Sequence, residues 1–210
     1  VAGPVLTMQV AENIETQVLW ESLQGASADW LLCLDAKGNP YGWLDRLRLL
    51  PWLSQEALES LKGRSLSELS SAEGSCSEPM AIASRASLRE AADILIQNRL
   101  SAVVVADETV PDGRRVARGI LTLGDLLQYA TLGLDFDRTV VREAASAPLH
   151  PASLDDSLAM AVRTFTRKPL RHLVLVDRYG ELAGLANSQD LFAALPGSVR
   201  LCRPAALSHA

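Results

Sequence analysis

Gly119, Thr122 and Asp125 stand at three-residue intervals, and Gly184, Asn187 and Asp190 repeat the spacing with asparagine in place of threonine. Each triplet opens an amphipathic segment, so its aspartate falls in the first turn of a helix. A carboxylate held there can accept from two vicinal hydroxyls, while free backbone N–H groups and the helix dipole favour a nearby phosphate. The same residue types cap helices: Thr122 with Asp125, and Asn187 with Asp190, stabilise a helix start by about 1 kcal/mol with no ligand at all. Residue pattern alone leaves both uses open.

Other chemistries lack residues to carry them. His150, His172 and His209 are dispersed, with no His-Glu-x-x-His set, so no metal site is expected. There is no Gly-x-Ser-x-Gly elbow, no Gly-x-x-x-x-Gly-Lys-Ser/Thr loop and no kinase set, and the chain is not expected to be an enzyme. Asp155 and Asp156 read as helix-opening residues favoured by the helix dipole. A net charge of −5, a pI near 5.2 and scattered Lys and Arg argue against a nucleic-acid partner. Cys33, Cys76 and Cys202 are odd in number and widely spaced, the pattern of reduced thiols in a cytoplasmic protein. No apolar run approaches the roughly 20 residues of a membrane span, and the first residues lack a signal-peptide pattern. The chain begins without methionine, which leaves room for a membrane or catalytic portion outside it.

The triplets belong to a longer repeat. Gly119 to Ala130 (GILTLGDLLQYA), Gly184 to Leu195 (GLANSQDLFAAL) and, more faintly, Gly42 to Leu53 (GWLDRLRLLPWL) each run from a short apolar strand through a cap into a helix. The caps are Thr122, Asn187 and Asp45. An apolar strand ending in aspartate precedes each copy: WLLCLD to Asp35, AVVVAD to Asp107 and LVLVD to Asp177. Aspartate and glycine are seven positions apart in the first and third copies and twelve in the second, whose hairpin ETVPDGRRVAR is longer. At 48% hydrophobic residues and a mean hydropathy of +0.11, the 210 residues suffice to bury a core.

In chain order, Val5 to Val10 reads as a strand, and Ile14, Val18, Leu19 and Leu23 as a helical face ended by Gly25. Trp20, Trp30, Trp43 and Trp52 read as core or interface fillers, with base stacking the lesser alternative. From Leu53 to Ser77 a short helical patch, SQEALESLKG, gives way to six serines between Ser65 and Ser77, the pattern of a connector with little regular structure. Pro79 to Ala83 reads as a short strand, and Ser87 with Glu90 as a capping box before Leu88, Ala91, Ala92 and Leu95, in a helix ending near Arg99. The third unit starts at Thr139 to Val141 or just after. Its helix is announced by Ser153 with Asp156, carries Leu154, Leu158, Ala161, Val162 and Phe165 on one face, is one turn longer than its counterpart, and stops at Pro169.

A unit of strand, helix, strand, strand and helix, with these aspartates and glycines, resembles the CBS domain, named for cystathionine β-synthase. Residues Ser77 to Leu195 look like a tandem pair, a Bateman module. The first unit keeps LLCLDAKGNPYGW but has Arg48 where the others have Asp125 and Asp190, so it resembles a degenerate repeat. The resemblance implies an α/β fold of repeated β-α-β-β-α units, two packed as a pseudo-twofold module, with an additional N-terminal unit. The corresponding boundaries are 1–70 for the degenerate repeat and linker, 71–134 and 135–198 for the pair, and 199–210 for the tail.

The resemblance also implies a regulatory role. Many CBS repeats bind AMP, ADP, ATP or S-adenosylmethionine and change the state of an attached enzyme, transporter or channel. In the family pattern the aspartate takes the ribose hydroxyls and the threonine helps hold phosphate, which Gly119, Thr122 and Asp125 match. Gly184 and Asp190 match in the third unit, where Asn187 replaces the threonine and Ser188 stands beside it as a substitute. Arg171 and His172 occupy places where some repeats set an Arg/His pair against the phosphates; a solvated Arg171 and a surface His172 are the alternative. A homodimer is implied, and the Leu126, Leu127, Tyr129 and Leu191, Phe192, Leu195 faces suit it if exposed, or else fill each unit's own core. Three other readings stay open: a ligand-free dimerisation or interaction scaffold, the regulatory tail of an osmoprotectant transporter ATPase, and pairing of the first unit with the second.

Overall fold

Alternating apolar strands and capped helices give the same element order three times, here in a computed structural model that describes residues 5–9, 15–25, 30–71, 79–108, 112–147, 149–168, 170–195 and 201. The first copy comprises β1 (Val5–Gln9), α1 (Thr16–Gly25), β2 (Trp30–Leu34), β3 (Pro40–Asp45) and α2 (Arg46–Leu49). A 3-10 turn at Leu50–Trp52, α3 (Gln55–Ser60) and α4 (Ser67–Ser71) lead on to the second copy. That copy comprises β4 (Ala81–Ile82), α5 (Leu88–Gln97), β5 (Ala102–Glu108), β6 (Arg115–Thr122) and α6 (Leu123–Thr131), with α7 (Val141–Ala144) after it. The third comprises β7 (Ala152–Ser153), α8 (Leu158–Arg167), β8 (His172–Val176), β9 (Leu182–Asn187) and α9 (Ser188–Ala194).

Each copy makes a three-stranded sheet with its strands in sequence order. The first two strands of each pair in parallel, as a helical crossover requires, and β2 with β3 and β5 with β6 are antiparallel hairpins. The strand-ending aspartates explain the seven-residue interval. Asp35 Oδ1 accepts from the N–H groups of Lys37 and Asn39, and Asp177 Oδ1 from those of Tyr179 and Glu181, each bond 2.8 or 2.9 Å long. Gly38 (φ +82°) and Gly180 (φ +79°) supply the left-handed residue that each turn needs. In the longer second hairpin Asp107 instead accepts from Ser84 N–H at 2.9 Å. Pro111 of that hairpin lies outside the described residues.

The chain divides into two compact units: residues 1–68, 157–171 and 187–210, and residues 69–156 and 172–186. The third copy is thus shared, its helices in the first unit and nearly all of its sheet in the second. In the first unit Trp20 is fully buried with its ring 4.2 Å from that of Phe192, and Arg64 donates to Ala194 O at 2.5 Å. In the second unit one core lies between α5, α6, α7 and the β4–β6 sheet. Another, of Val104, Ala106, Val174 and Leu182, joins that sheet to β8 and β9.

Several expectations change. The serine-rich stretch forms α4 over Ser67–Ser71, because Leu66 and Leu69 are buried and hold the polar run in register; the rest of the expected connector, 72–77, lies outside the described residues. Helix α8 starts at Leu158, capped by Ser157, whose hydroxyl accepts from Met160 N–H; Ser153 and Asp156 only close a turn, through Ser153 N–H to Asp156 Oδ2 at 2.8 Å. Helices α5 and α8 are therefore equal at ten residues, and the expected extra turn is absent. Pro169 lies outside the described residues, as do Val10, Ile14, Cys76, Cys202 and His209. Trp43 is 63% exposed and stacks on Trp30 rather than filling a core. Leu126, Leu191, Phe192 and Leu195 are buried, and Tyr129 is half-buried with its hydroxyl donating to Ala144 O at 3.0 Å; of the two suggested dimer faces only Leu127 is exposed.

Candidate functional site

All three expected caps are helix N-caps. The Thr122 hydroxyl accepts from Asp125 N–H at 3.2 Å, and Asp125 Oδ2 accepts in return from Thr122 N–H at 2.8 Å and from its hydroxyl at 2.7 Å. Asn187 Oδ1 accepts from Gln189 N–H at 2.6 Å and Asp190 N–H at 3.1 Å, and Asp190 Oδ2 accepts from Asn187 N–H at 2.7 Å. Asp45 accepts from Arg48 N–H at 2.9 Å, and Arg48 has no acceptor to offer back. Capping uses only Oδ2 of Asp125 and Asp190. Among the described residues Oδ1 of each has no hydrogen-bond partner, so the two uses that residue pattern sets against each other are compatible. Burial pushes the Asp190 carboxyl up to about 6, against the opposing hydrogen bond from Asn187 N–H.

Gly119 is buried in β6, where a Cβ would come 3.0 Å from Ala145 Cβ and 3.3 Å from the Ser146 carbonyl oxygen. Ile120 and Ser146 exchange backbone hydrogen bonds beside it. Close packing of the segment after α7 is therefore enough to require glycine here.

His172 opens β8, and its Nε2 lies 2.9 Å from Ser101 Oγ. Ser101 O in turn accepts from Leu123 N–H at 3.0 Å, in the first turn of α6. The second unit thus links His172 through one residue to the Thr122 and Asp125 junction. Ser101 stands in the stretch that corresponds to Arg171 and His172 and offers no cation, and no spacing rule could join residues 71 positions apart. Arg171, adjacent to His172, belongs to the first unit, as do Ser188, the first residue of α9, and Asp190. Arg171 is exposed and lines a groove with Asp45 and Arg48, two residues also not expected together with it.

Two stretches, residues 75–131 and 141–197, match the CBS domain, and together they make up more than half of the chain. The chain belongs to the CBS-domain family and carries a tandem pair of these domains. No curated protein sequence matches it. Among solved structures, an uncharacterised conserved protein from Pyrococcus horikoshii is similar at 19% identity and a TM-score of 0.64, over 92% of this chain and 79% of that one. Protein MJ1225 from Methanocaldococcus jannaschii is similar at 14% identity and a TM-score of 0.64, over 90% and 66%. A CBS-domain protein from Pyrobaculum aerophilum, solved with AMP, is 25% identical at a TM-score of 0.51, over 60% of this chain and 88% of that one. The first two likenesses establish the fold, repeated CBS units, and nothing further. No helix among the described residues is long and apolar enough to cross a membrane.

Proposed function

We propose that this chain is a non-catalytic regulatory module that senses an adenosine nucleotide, or S-adenosylmethionine, and passes its occupancy to an attached or partner enzyme or transporter. One observation carries the reading: Asp125 and Asp190 each cap a helix with Oδ2 while Oδ1 keeps its acceptor capacity beside first-turn N–H groups. The AMP complex of the P. aerophilum relative supports it. In the second unit Asp125 takes the ribose hydroxyls, with Gly119 and Thr122 forming the junction and His172 facing phosphate. In the first, Asp190, Ser188 and Arg171 have the corresponding roles. A ligand acts by preferring one arrangement of the repeats, and shifts that equilibrium by its differential affinity and no more. A cytoplasmic homodimer belongs to the same reading, and light scattering would show twice the 22.6 kDa chain mass.

The test is thermal unfolding with ATP, ADP, AMP and S-adenosylmethionine, repeated on Asp125→Asn and Asp190→Asn, which keep a capping acceptor. A ligand at 100 times its Kd adds about 2.7 kcal/mol, a rise of several degrees for a chain of this size. A rise lost in Asp125→Asn is the expected result. If no ligand moves the midpoint, these junctions are caps only and the repeats form an interaction scaffold.

A further inference from the structure

The three sheets are not equally covered. Leu32, Val104 and Val174 each stand three positions before the aspartate that closes the second strand of their repeat, so they hold one register position on one face. In the second unit Val104 and Val174 are buried in a single cluster that packs the β5 face against β8, with Ala106, Leu182 and the partly buried Leu185 around them. The opposite face of the β4–β6 sheet, with Val103 and Val105, meets its own helices.

In the first repeat the same division puts the fully buried Leu31 on the helix side and Trp30, Leu32 and Leu34 on the other. Cross-strand pairing sets Val5 beside Trp30 and Trp43 opposite Leu32, so all five share that face. Trp43 follows the glycine of its repeat by one residue, as Leu185 does, and so holds a position that is packed in the second unit. Here Trp43 is 63% and Val5 56% exposed, and Trp30, Leu32 and Leu34 are half-buried. A repeat cannot bury both of its sheet faces alone, and a contiguous apolar face left in water marks an interaction surface.

The occupant that fits is defined inside the chain: in the second repeat this face is covered by the same face of the third. Three repeats leave one such face over, and a second copy supplies its equal. β1, β2 and β3 contain one charged residue, Asp45, and it caps α2, so two copies meet over an almost uncharged surface, as a self-complementary contact requires.

We propose that two copies of this chain associate through this face, sheet against sheet about a twofold axis, with Trp30, Leu32 and Trp43 of each at the centre. This names the surface of the homodimer in the functional reading above, rests on that part of it, and needs no ligand.

The experiment is light scattering of the full chain over a wide range of concentration, on the wild type, Trp43→Asp, Trp43→Phe and Leu127→Asp, the last on the exposed face of α6. Iodide quenching of the wild type is followed alongside. The mass is expected to rise with concentration toward twice 22.6 kDa. Iodide reaches Trp43 in dilute solution, and the accessible share of the emission should fall in step as the dimer covers it. Trp43→Asp sets a charge in the interface once per copy and should weaken association roughly a hundredfold or more. Trp43→Phe should remain a dimer, and Leu127→Asp should stay within about threefold of the wild type. Circular dichroism checks the fold of Trp43→Asp, and the quenching readout needs no variant. A dimer that survives Trp43→Asp, or that forms with iodide quenching unchanged, would overturn the proposal and leave the homodimer to another surface, α6 if Leu127→Asp abolishes it. A chain that stays monomeric at every concentration would overturn both the surface and the homodimer, while the ligand-induced rise in unfolding midpoint is read independently.

Discussion

Asp190 caps the backbone with one oxygen while burial pushes its carboxyl up to about 6 from an ordinary value of 3.8. The folded chain therefore holds this proton more tightly than the unfolded one. The stability so gained is fully present below pH 3.8 and is lost as pH rises through about 6. Above that, the ionised group carries a desolvation cost on the order of 3 kcal/mol at most. Asp190→Asn keeps an acceptor for Asn187 N–H and removes the charge. Its unfolding midpoint should exceed the wild type's at pH 7.5, with the gain disappearing toward pH 4; a gain independent of pH would show that charge is not the cause. The glycines of the repeat differ in a comparable way. Gly119→Ala should cost about 1–3 kcal/mol, because a Cβ there meets Ala145 and the Ser146 carbonyl. Gly42→Ala, with nothing within 4 Å, should stay within roughly 0.5 kcal/mol. Denaturant titration of the pair measures both. Sequence shows the two glycines as equivalent, since the contact that separates them comes from a segment 26 residues further along the chain.

Helix starts were the most legible elements, because side-chain capping is a local interaction written in three or four consecutive residues. Thr122, Asn187, Asp45 and Ser87 all cap where the pattern places them. The exception is α8, where two serine caps compete four residues apart. Ser153, with Asp156 three residues on, fits the capping-box pattern and Ser157, with Met160 there, does not, but pairing of Ala152 and Ser153 with Leu175 and Val176 holds Ser153 in a strand. Ser157→Ala should cost about 1 kcal/mol, or roughly 2–4 °C in midpoint, and Ser153→Ala distinctly less. Equal losses in thermal melts would contradict this account of where the helix begins. Helix α4 was not legible for the opposite reason: its polar composition reads as loop, and only burial of Leu66 and Leu69 makes it helical.

At the scale of the whole molecule the threefold repeat was legible and the partition was not. The family model covers the second and third repeats, yet the chain's two compact units cut across the third, leaving its helices in one and its strands in the other. Phe192 of the third repeat packs on Trp20 of the first, and Val174 of the third on the core that holds Val104 of the second. Such contacts form between segments more than 50 residues apart, beyond any periodic signal. Truncation after residue 134 should therefore damage both units, exposing Trp20 in one and the β5 face in the other. Raised binding of a hydrophobic dye and loss of a cooperative melt would register it; an intact, cooperative fragment would contradict the partition.

The four tryptophans, Trp20, Trp30, Trp43 and Trp52, all fall in the first unit. Indole emission is accordingly a reporter for one half of the molecule and dark to the other. Asp125, where a ligand is proposed, belongs to the second unit, which has no indole. The stacked Trp30 and Trp43 rings, 5.0 Å apart and 28° from parallel, are close enough for their transitions to couple. Iodide should quench Trp43 and spare Trp20, which is sealed from solvent. The chain thus carries a built-in optical probe of its first unit, readable without a label.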